Sequence, residues 1–341
     1  MLFSAFLLTM GVTWLVTFPL RYALRQAEVV DRPNARSSHT LPTVRGGGIG
    51  MTLAVCMALA WTGRAESWVW GFLLAPTVLL AAVSFWDDLR SLGAKVRFAV
   101  HALAAGLALY GLLSHAPAGP QAGGIASVAG LLVLFGWLAG YTNAFNFMDG
   151  INGLGGVQAL LTGLGTAAVA LLAGLPRDHH GVVLAVAIAG AAAGFLPHNF
   201  PRAKVFMGDV ASASLGFSLA LAGVWIARDA GWTILLWIGL LHANFVLDTG
   251  ITLIRRIARG ERWQEAHREH FYQRLVRAGR SHREVTLSQV ALQILCLGLA
   301  LTGVYFRESW LVSGLAAVLV VAVWLVFFAY CERTFRAAGR S

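Results

Sequence analysis

Carboxylates, amides and imidazoles that could hold a cation or a phosphate stand in a few short polar segments of an otherwise apolar chain. Asp87 and Asp88 are adjacent, so their charges repel unless a cation or donor neutralises them. They read either as a metal ligand beside a general base or as a helix-end pair facing Arg90 and Lys95. Asn143, Asn146, Asp149 and Asn152 recur every third residue and run into Gly150, Gly153, Gly155 and Gly156. Amides and a carboxylate in that register suit a ribose, a sugar or a metal, and glycines let backbone N–H groups approach a phosphate. Asp209 closes the segment N-F-P-R-A-K-V-F-M-G-D, which also carries Asn199 and Lys204. It reads equally as a metal ligand or as a helix cap.

Three further groups belong with these. His267, His270 and Arg274 fall at i, i+3 and i+7, so a helix presents them on one face as a diphosphate clamp. The same spacing also suits an amphipathic helix docked on anionic lipid or, without an evident third ligand, a zinc pair. Asp31, Arg36, His39 and Arg45 precede the triplet Gly46-Gly47-Gly48, which by itself is a weak phosphate-loop signal. Asp248 lies inside an apolar run about one turn from its end, where an unpartnered carboxylate costs several kcal/mol. It is expected to pair with Arg255 or Arg256, or to face the site.

The elements that position these residues are membrane spans. At 341 residues, with 57% hydrophobic and 12% charged side chains, the chain is too apolar for a soluble domain. Apolar runs of spanning length lie near 2–20, 46–63, 69–86, 97–114, 125–143, 154–174, 180–197, 211–227, 232–253, 286–304 and 309–331. The expectation is an all-α polytopic membrane protein of about eleven helices, forming one domain over 1–341 with no internal repeat. The first run lacks a basic leader and a small-residue cleavage pattern, so it reads as a retained helix.

Charge orients the bundle. The segments 21–45, 87–97, 144–153, 198–210, 254–285 and the C-terminal tail hold 22 of the 26 Lys and Arg residues, against Arg64, Arg177, Arg228 and Arg307 on the other side. Basic residues collect in cytoplasmic loops, which puts the N-terminus outside, the C-terminus inside and the polar segments in the cytoplasm. The net charge of +10 then follows from this bias and from anionic lipid, not from nucleic acid. Cys56, Cys296 and Cys331 sit in or at the end of apolar runs with no metal-like or disulfide-like spacing and read as packing residues.

Together the segments D-R-P-N-A-R-S-S-H-T-L-P-T-V-R-G-G-G, W-D-D, N-A-F-N-F-M-D-G-I-N-G-L, K-V-F-M-G-D and H-R-E-H-F-Y-Q-R-L, in this order between residues 31 and 275, resemble the polyprenyl-phosphate N-acetylhexosamine-1-phosphate transferases. The last segment looks more like the O-antigen and enterobacterial-common-antigen initiating enzymes than the lipid I enzyme. Asn152 stands where the family often has a second Asp, and Ala211 where it usually has Gly.

The resemblance implies transfer of a sugar 1-phosphate from a UDP-N-acetylhexosamine, UDP-GlcNAc or a 6-deoxy relative such as UDP-FucNAc, to undecaprenyl phosphate with release of UMP. It implies Mg²⁺, with Mn²⁺ as a substitute, held by Asp209 with Asp88. Asp87 or Asp88 would deprotonate or orient the lipid phosphate. Asn143, Asn146, Asp149 and Asn152 would line the nucleotide-sugar pocket together with Asp31, His39, Arg45, Asn199 and Lys204, and His267, His270 and Arg274 would grip the diphosphate or sugar. It further implies the bacterial inner membrane, a periplasmic N-terminus, an active site facing the cytoplasm and a homodimer as one assembly open to it. A lipid I-type transferase is the near alternative. A transporter or flippase is the remote one, since only Asp248 is an acid clearly inside a span.

Overall fold

In hydrocarbon every backbone N–H and C=O must be satisfied within the chain, so long apolar segments fold as helices. The computed structural model describes residues 1–33, 38–62, 66–90, 92–115, 128–262, 267–306 and 310–339. Its helices are α1 (Leu2–Gln26), α2 (Ile49–Thr62), α3 (Ala75–Leu89), α4 (Ala94–Ser114), α5 (Val128–Met148), α6 (Leu154–Leu172), α7 (His180–Asn199), α8 (Asp209–Ala230), α9 (Ile234–Ala258), α10 (Phe271–Arg277), α11 (His282–Tyr305) and α12 (Trp310–Ala338). A π-helical turn, Trp70–Leu74, leads into α3.

Each of the eleven expected runs is a helix, and among the described residues ten helical segments are long and apolar enough to cross a membrane. The protein is a multi-pass, all-α membrane protein. Among the described residues the exception in length is α2, with 14 residues, and Gly46–Gly48 stay outside it.

The bundle is built around α8. Every residue from Val210 to Ala227 is buried, and most are Ala, Ser, Gly, Leu or Val, so α3, α5 and α7 pack directly against it. Between helices in lipid, small residues allow the close approach that generates packing energy. The same device joins α1 to α7. Side chains at Gly190 and Gly194 would collide with the Phe6 and Met10 carbonyls, and Thr9, Thr13 and Thr17 bury the facing stripe of α1. The three cysteines are free, with Cys296 and Cys331 buried, as packing residues are.

One small β element departs from the all-helical expectation. Strand β1 (Val30–Asp31) pairs antiparallel with β2 (Thr43–Val44), Val30 opposite Val44 and Asp31 opposite Thr43. Val44 also forms a parallel bridge to Val205. The Gly47 and Gly48 amides donate to the Phe206 and Met207 carbonyls at 2.9 Å each. The loop before α2 and the loop before α8 are thereby stitched together.

Candidate active site

The site begins where α3 ends. Asp88 points into the start of α8, where the Asp209 amide donates to Oδ1 at 3.0 Å and the Val210 amide to Oδ2 at 3.2 Å. The first N–H groups of a helix have no intrahelical acceptor, so a carboxylate from another helix serves as the cap. The turn needs Gly208, which has φ +75° and whose absent side chain would lie 2.5 Å from Asp88 Oδ2. Asp209 is therefore not the cap of α8. It is the first helical residue, free to turn outward.

Arg45 ties these carboxylates together. Its Nε lies 2.7 Å from Asp88 Oδ1 and its Nη2 2.6 Å from Asp209 Oδ1. Burial works against the guanidinium charge, but Asp209 and Asp88 outweigh it and hold the Arg45 pKa above its ordinary value. Asp87 faces differently. It accepts the Leu92 amide and pairs with Arg97 at 3.2 Å, and Arg97 also stands 3.8 Å from Asp209. The partners of the acid pair are thus Arg45 and Arg97, not Arg90 and Lys95. Arg90 stacks over the Trp86 ring instead.

A cavity of about 260 Å³ opens at this junction, lined by Asp31, His39, Arg45, Asn146, Asp149, Asn199 and Asp209, with Ser38, Gly150, Ile151, Phe206, Gly208, Ser212 and Gln273. Loops before α2, α6 and α8 meet in its walls, with Gln273 of α10. Asn146 donates to the Ser212 hydroxyl at 2.8 Å, and Asn199 accepts the Gly153 amide at 2.6 Å while donating to the Val205 carbonyl at 2.9 Å. Asp149 is pressed against Gly155, where a side chain would lie 2.6 Å from its Oδ1. Burial, then the charge of Asp209, lifts the Asp149 carboxyl to about 7. His39 packs on Phe206 and stands 3.9 Å from Asp31.

Other expected residues lie elsewhere. Asp88 has no side-chain exposure and does not reach the cavity wall, and both of its oxygens are already taken. Asn143 donates to the Ala139 carbonyl within its own helix. Asn152 turns away to the Pro201 carbonyl, while its backbone oxygen accepts the Thr286 hydroxyl. Lys204 is exposed and outside the lining. Arg36 lies outside the described residues.

The expected helix face of His267, His270 and Arg274 does not form, because α10 starts only at Phe271. His267 precedes the helix, where burial, His270 and Arg256 depress its imidazole to about 4. Arg274 is buried in ion pairs with Glu269 and Glu332. Asp248 pairs with neither Arg255 nor Arg256, which engage Glu332 and Glu261. It accepts His270 Nδ1 at 3.0 Å.

Several lining residues were not singled out in the sequence, among them Ser212, Gln273 and Phe206. Ser212 is one turn beyond Asp209 and shares its helix face, a register that could have revealed it. Gln273 lies inside the H-x-x-H-x-Y-Q-R-L segment. Phe206 carries no sequence signal of its own.

Among the described residues no three carboxylate, imidazole or thiol groups form a ready cage. Mg²⁺ does not require one: it keeps several waters and is held by one or two carboxylates plus substrate phosphates. Asp209, Asp149 and Asn146 line the cavity and carry the hard oxygen donors such an ion takes. The donor chemistry fits Asp209 better than Asp88.

The sequence pattern of glycosyl transferase family 4 matches residues 69–227, from just before the π-helical turn to the last turn of α8. The decaprenyl-phosphate N-acetylglucosaminephosphotransferase of Mycobacterium tuberculosis is 30% identical, over 81% of this chain and 76% of its own. The probable undecaprenyl-phosphate N-acetylglucosaminyl 1-phosphate transferase of Bacillus subtilis is 28% identical, over 82% and 78%. The phospho-N-acetylmuramoyl-pentapeptide-transferase of Lactiplantibacillus plantarum is 28% identical, over 61% and 67%. Likeness on that scale, reaching well beyond the matched segment, means that the chain belongs to glycosyl transferase family 4, among the polyprenyl-phosphate N-acetylhexosamine-1-phosphate transferases.

Proposed function

We propose that the protein transfers an N-acetylhexosamine 1-phosphate from a UDP-sugar to undecaprenyl phosphate, releasing UMP and forming the first lipid-linked intermediate of an O-antigen or related surface polysaccharide. The observation that carries this reading is the convergence of Arg45, Asn146, Asp149 and Asp209 on one polar cavity at an end of a helical membrane bundle. The relatives' names support N-acetylglucosamine as the first sugar to test.

Phosphoryl transfer of this kind needs alignment and charge neutralisation more than covalent help. A phosphate monoester has its second pKa near ~6, so the lipid phosphate is mostly dianionic at neutral pH and needs positioning rather than a strong base. That agrees with the buried, fully bonded state of Asp88. Its part is to hold Arg45 and the start of α8 in register. Arg45 lines the cavity and offers a planar donor fork to phosphate oxygens. Asn146 and Asn199 would orient the sugar or ribose through amide hydrogen bonds. Mg²⁺, when bound, would be held by Asp209 with Asp149 or Asn146, and it would neutralise diphosphate charge.

The cluster of basic residues in the polar loops supports a cytoplasmic active site in the bacterial inner membrane, with the N-terminus in the periplasm. The test is UMP release by purified protein in detergent with undecaprenyl phosphate, Mg²⁺ and UDP-GlcNAc, UDP-FucNAc or UDP-MurNAc-pentapeptide. Release that depends on the lipid and on one sugar is the expected result. Absence of release with every donor from well-folded protein defeats the proposal.

A further inference from the structure

Asp248 sits inside α9 with no exposure. A carboxylate there is costly unless donors surround it. Its donors come from a segment 22 to 24 residues later: His270 Nδ1 and the Phe271 amide reach Oδ1 at 3.0 Å each, and the Tyr272 amide reaches Oδ2 at 3.3 Å. A carboxylate on Nδ1 selects the imidazole tautomer protonated there and leaves Nε2 as the acceptor.

From this anchor the contacts run to the cavity along two routes. The His270 amide donates to Gln273 Oε1 at 3.3 Å, and Gln273 lines the cavity. The Tyr272 hydroxyl donates to the Phe147 carbonyl at 3.0 Å and fills the space that a side chain at Gly150 would need. Phe147 and Gly150 bracket Asp149. One buried carboxylate therefore fixes both Gln273 and the turn that carries Asp149.

Resting on the transferase reading above, we propose that Asp248 is a positioning residue for the reaction: acting through His270 and Tyr272, it holds the 270–273 segment, and with it the Asp149 turn, in the working geometry. Asp248→Asn keeps the size and one acceptor oxygen but turns an NH₂ group toward a backbone amide that needs an acceptor. In the full-length protein in detergent, kcat for UMP release is expected to fall about 10- to 100-fold, as for outer partners that orient site residues. The donor KM should stay within about threefold and the melting temperature should fall by only a few degrees, leaving the protein folded at the assay temperature, a split that general destabilisation does not produce. Combined with His270→Gln, the loss should fall short of the product of the two single losses. Hydrogen exchange over 267–277 should be faster in the Asp248 variant.

Wild-type kcat in folded Asp248→Asn, or losses that multiply in the double variant, overturn the proposal. A wild-type protein inactive toward every donor defeats the transferase reading instead, and the exchange comparison then decides on Asp248: unchanged exchange over 267–277 overturns its anchoring role. Should Asp248→Asn not fold, Tyr272→Phe removes a single hydroxyl from the same route. A lowered kcat at unchanged melting temperature supports the proposal, and wild-type kcat overturns it.

Discussion

The Arg45 guanidinium lies 2.7 Å from the fully buried Asp88 carboxylate and, through its other arm, 2.6 Å from Asp209. The residue that holds the α8 cap and the residue that faces the cavity are thus neutralised by one side chain. Breaking a buried pair by removing one member is far costlier than the pair's net worth, because the other charge is left stranded.

Arg45→Ala is accordingly expected to destabilise the protein by about 3–5 kcal/mol. Arg45→Lys keeps the charge but cannot reach both carboxylates with a planar fork, so it should fold and lose roughly 10-fold or more in turnover. Thermal unfolding and UMP release on the two variants check this together.

Asp209→Asn and Asp88→Asn should part company. The first is expected to cost about 100-fold or more in turnover, and to weaken the Mg²⁺ dependence, at near wild-type stability. The second places an NH₂ group against the Val210 amide or Arg45 and is expected to lower stability by about 1–3 kcal/mol as well. Mg²⁺ titrations of activity alongside melting curves separate the two.

Gly48 has a partner-specific reason to be glycine. A side chain there would overlap Ala211 Cβ and lie 2.7 Å from the Met207 carbonyl. Gly48→Ala is expected to cost about 1–3 kcal/mol by overpacking. Ala211→Gly in the same chain should restore part of that loss. A double variant no more stable than Gly48→Ala alone would contradict the contact.

Asp149 sets a pH dependence. Burial and Asp209 raise its carboxyl from 3.8 to about 7, so above the unfolded value the native protein still holds a proton that the unfolded chain has released. Stability of the Mg²⁺-free protein should therefore decline as pH rises from about 4 toward 7, and Asp149→Asn should flatten that slope. Melting temperature against pH for both proteins is the measurement.

The helices were legible because hydrophobic runs of spanning length have few other structures open to them in lipid. Much of the cavity was legible too: polar residues such as Asp149 and Asp209 stand out at the ends of apolar runs. Partnerships were not. Arg90 and Lys95 are near Asp88 in sequence, but its cation comes from the loop before α2, where a two-residue β ladder brings it in. Asp248 drew attention to the nearby arginines, whereas its main partners are backbone amides, which no side-chain pattern records. The same capture of the Phe271 and Tyr272 amides delays the start of α10, so the spacing of His267, His270 and Arg274 never becomes a helix face. Asn152 stands in register with Asn146 and Asp149, but the chain leaves the helix at Met148, and the period of three loses its meaning beyond that point.

The stitching of the loop before α2 to residues 205–207 has a consequence for how the protein is made. Arg45 and Asp209 are separated by 164 positions. At synthesis rates of about 5–20 residues per second, Arg45 leaves the ribosome roughly 8–30 s before its partner. Asp88 is made well before Asp209, so for most of that interval the guanidinium has one of its two carboxylates besides lipid headgroups and water, while α1 and α2 wait for α7 and α8. The active centre is therefore completed late in biogenesis, after most of the bundle has been inserted. A chain stopped short of Asp209 would present an arginine with only one of its two carboxylate partners where the finished enzyme has its site.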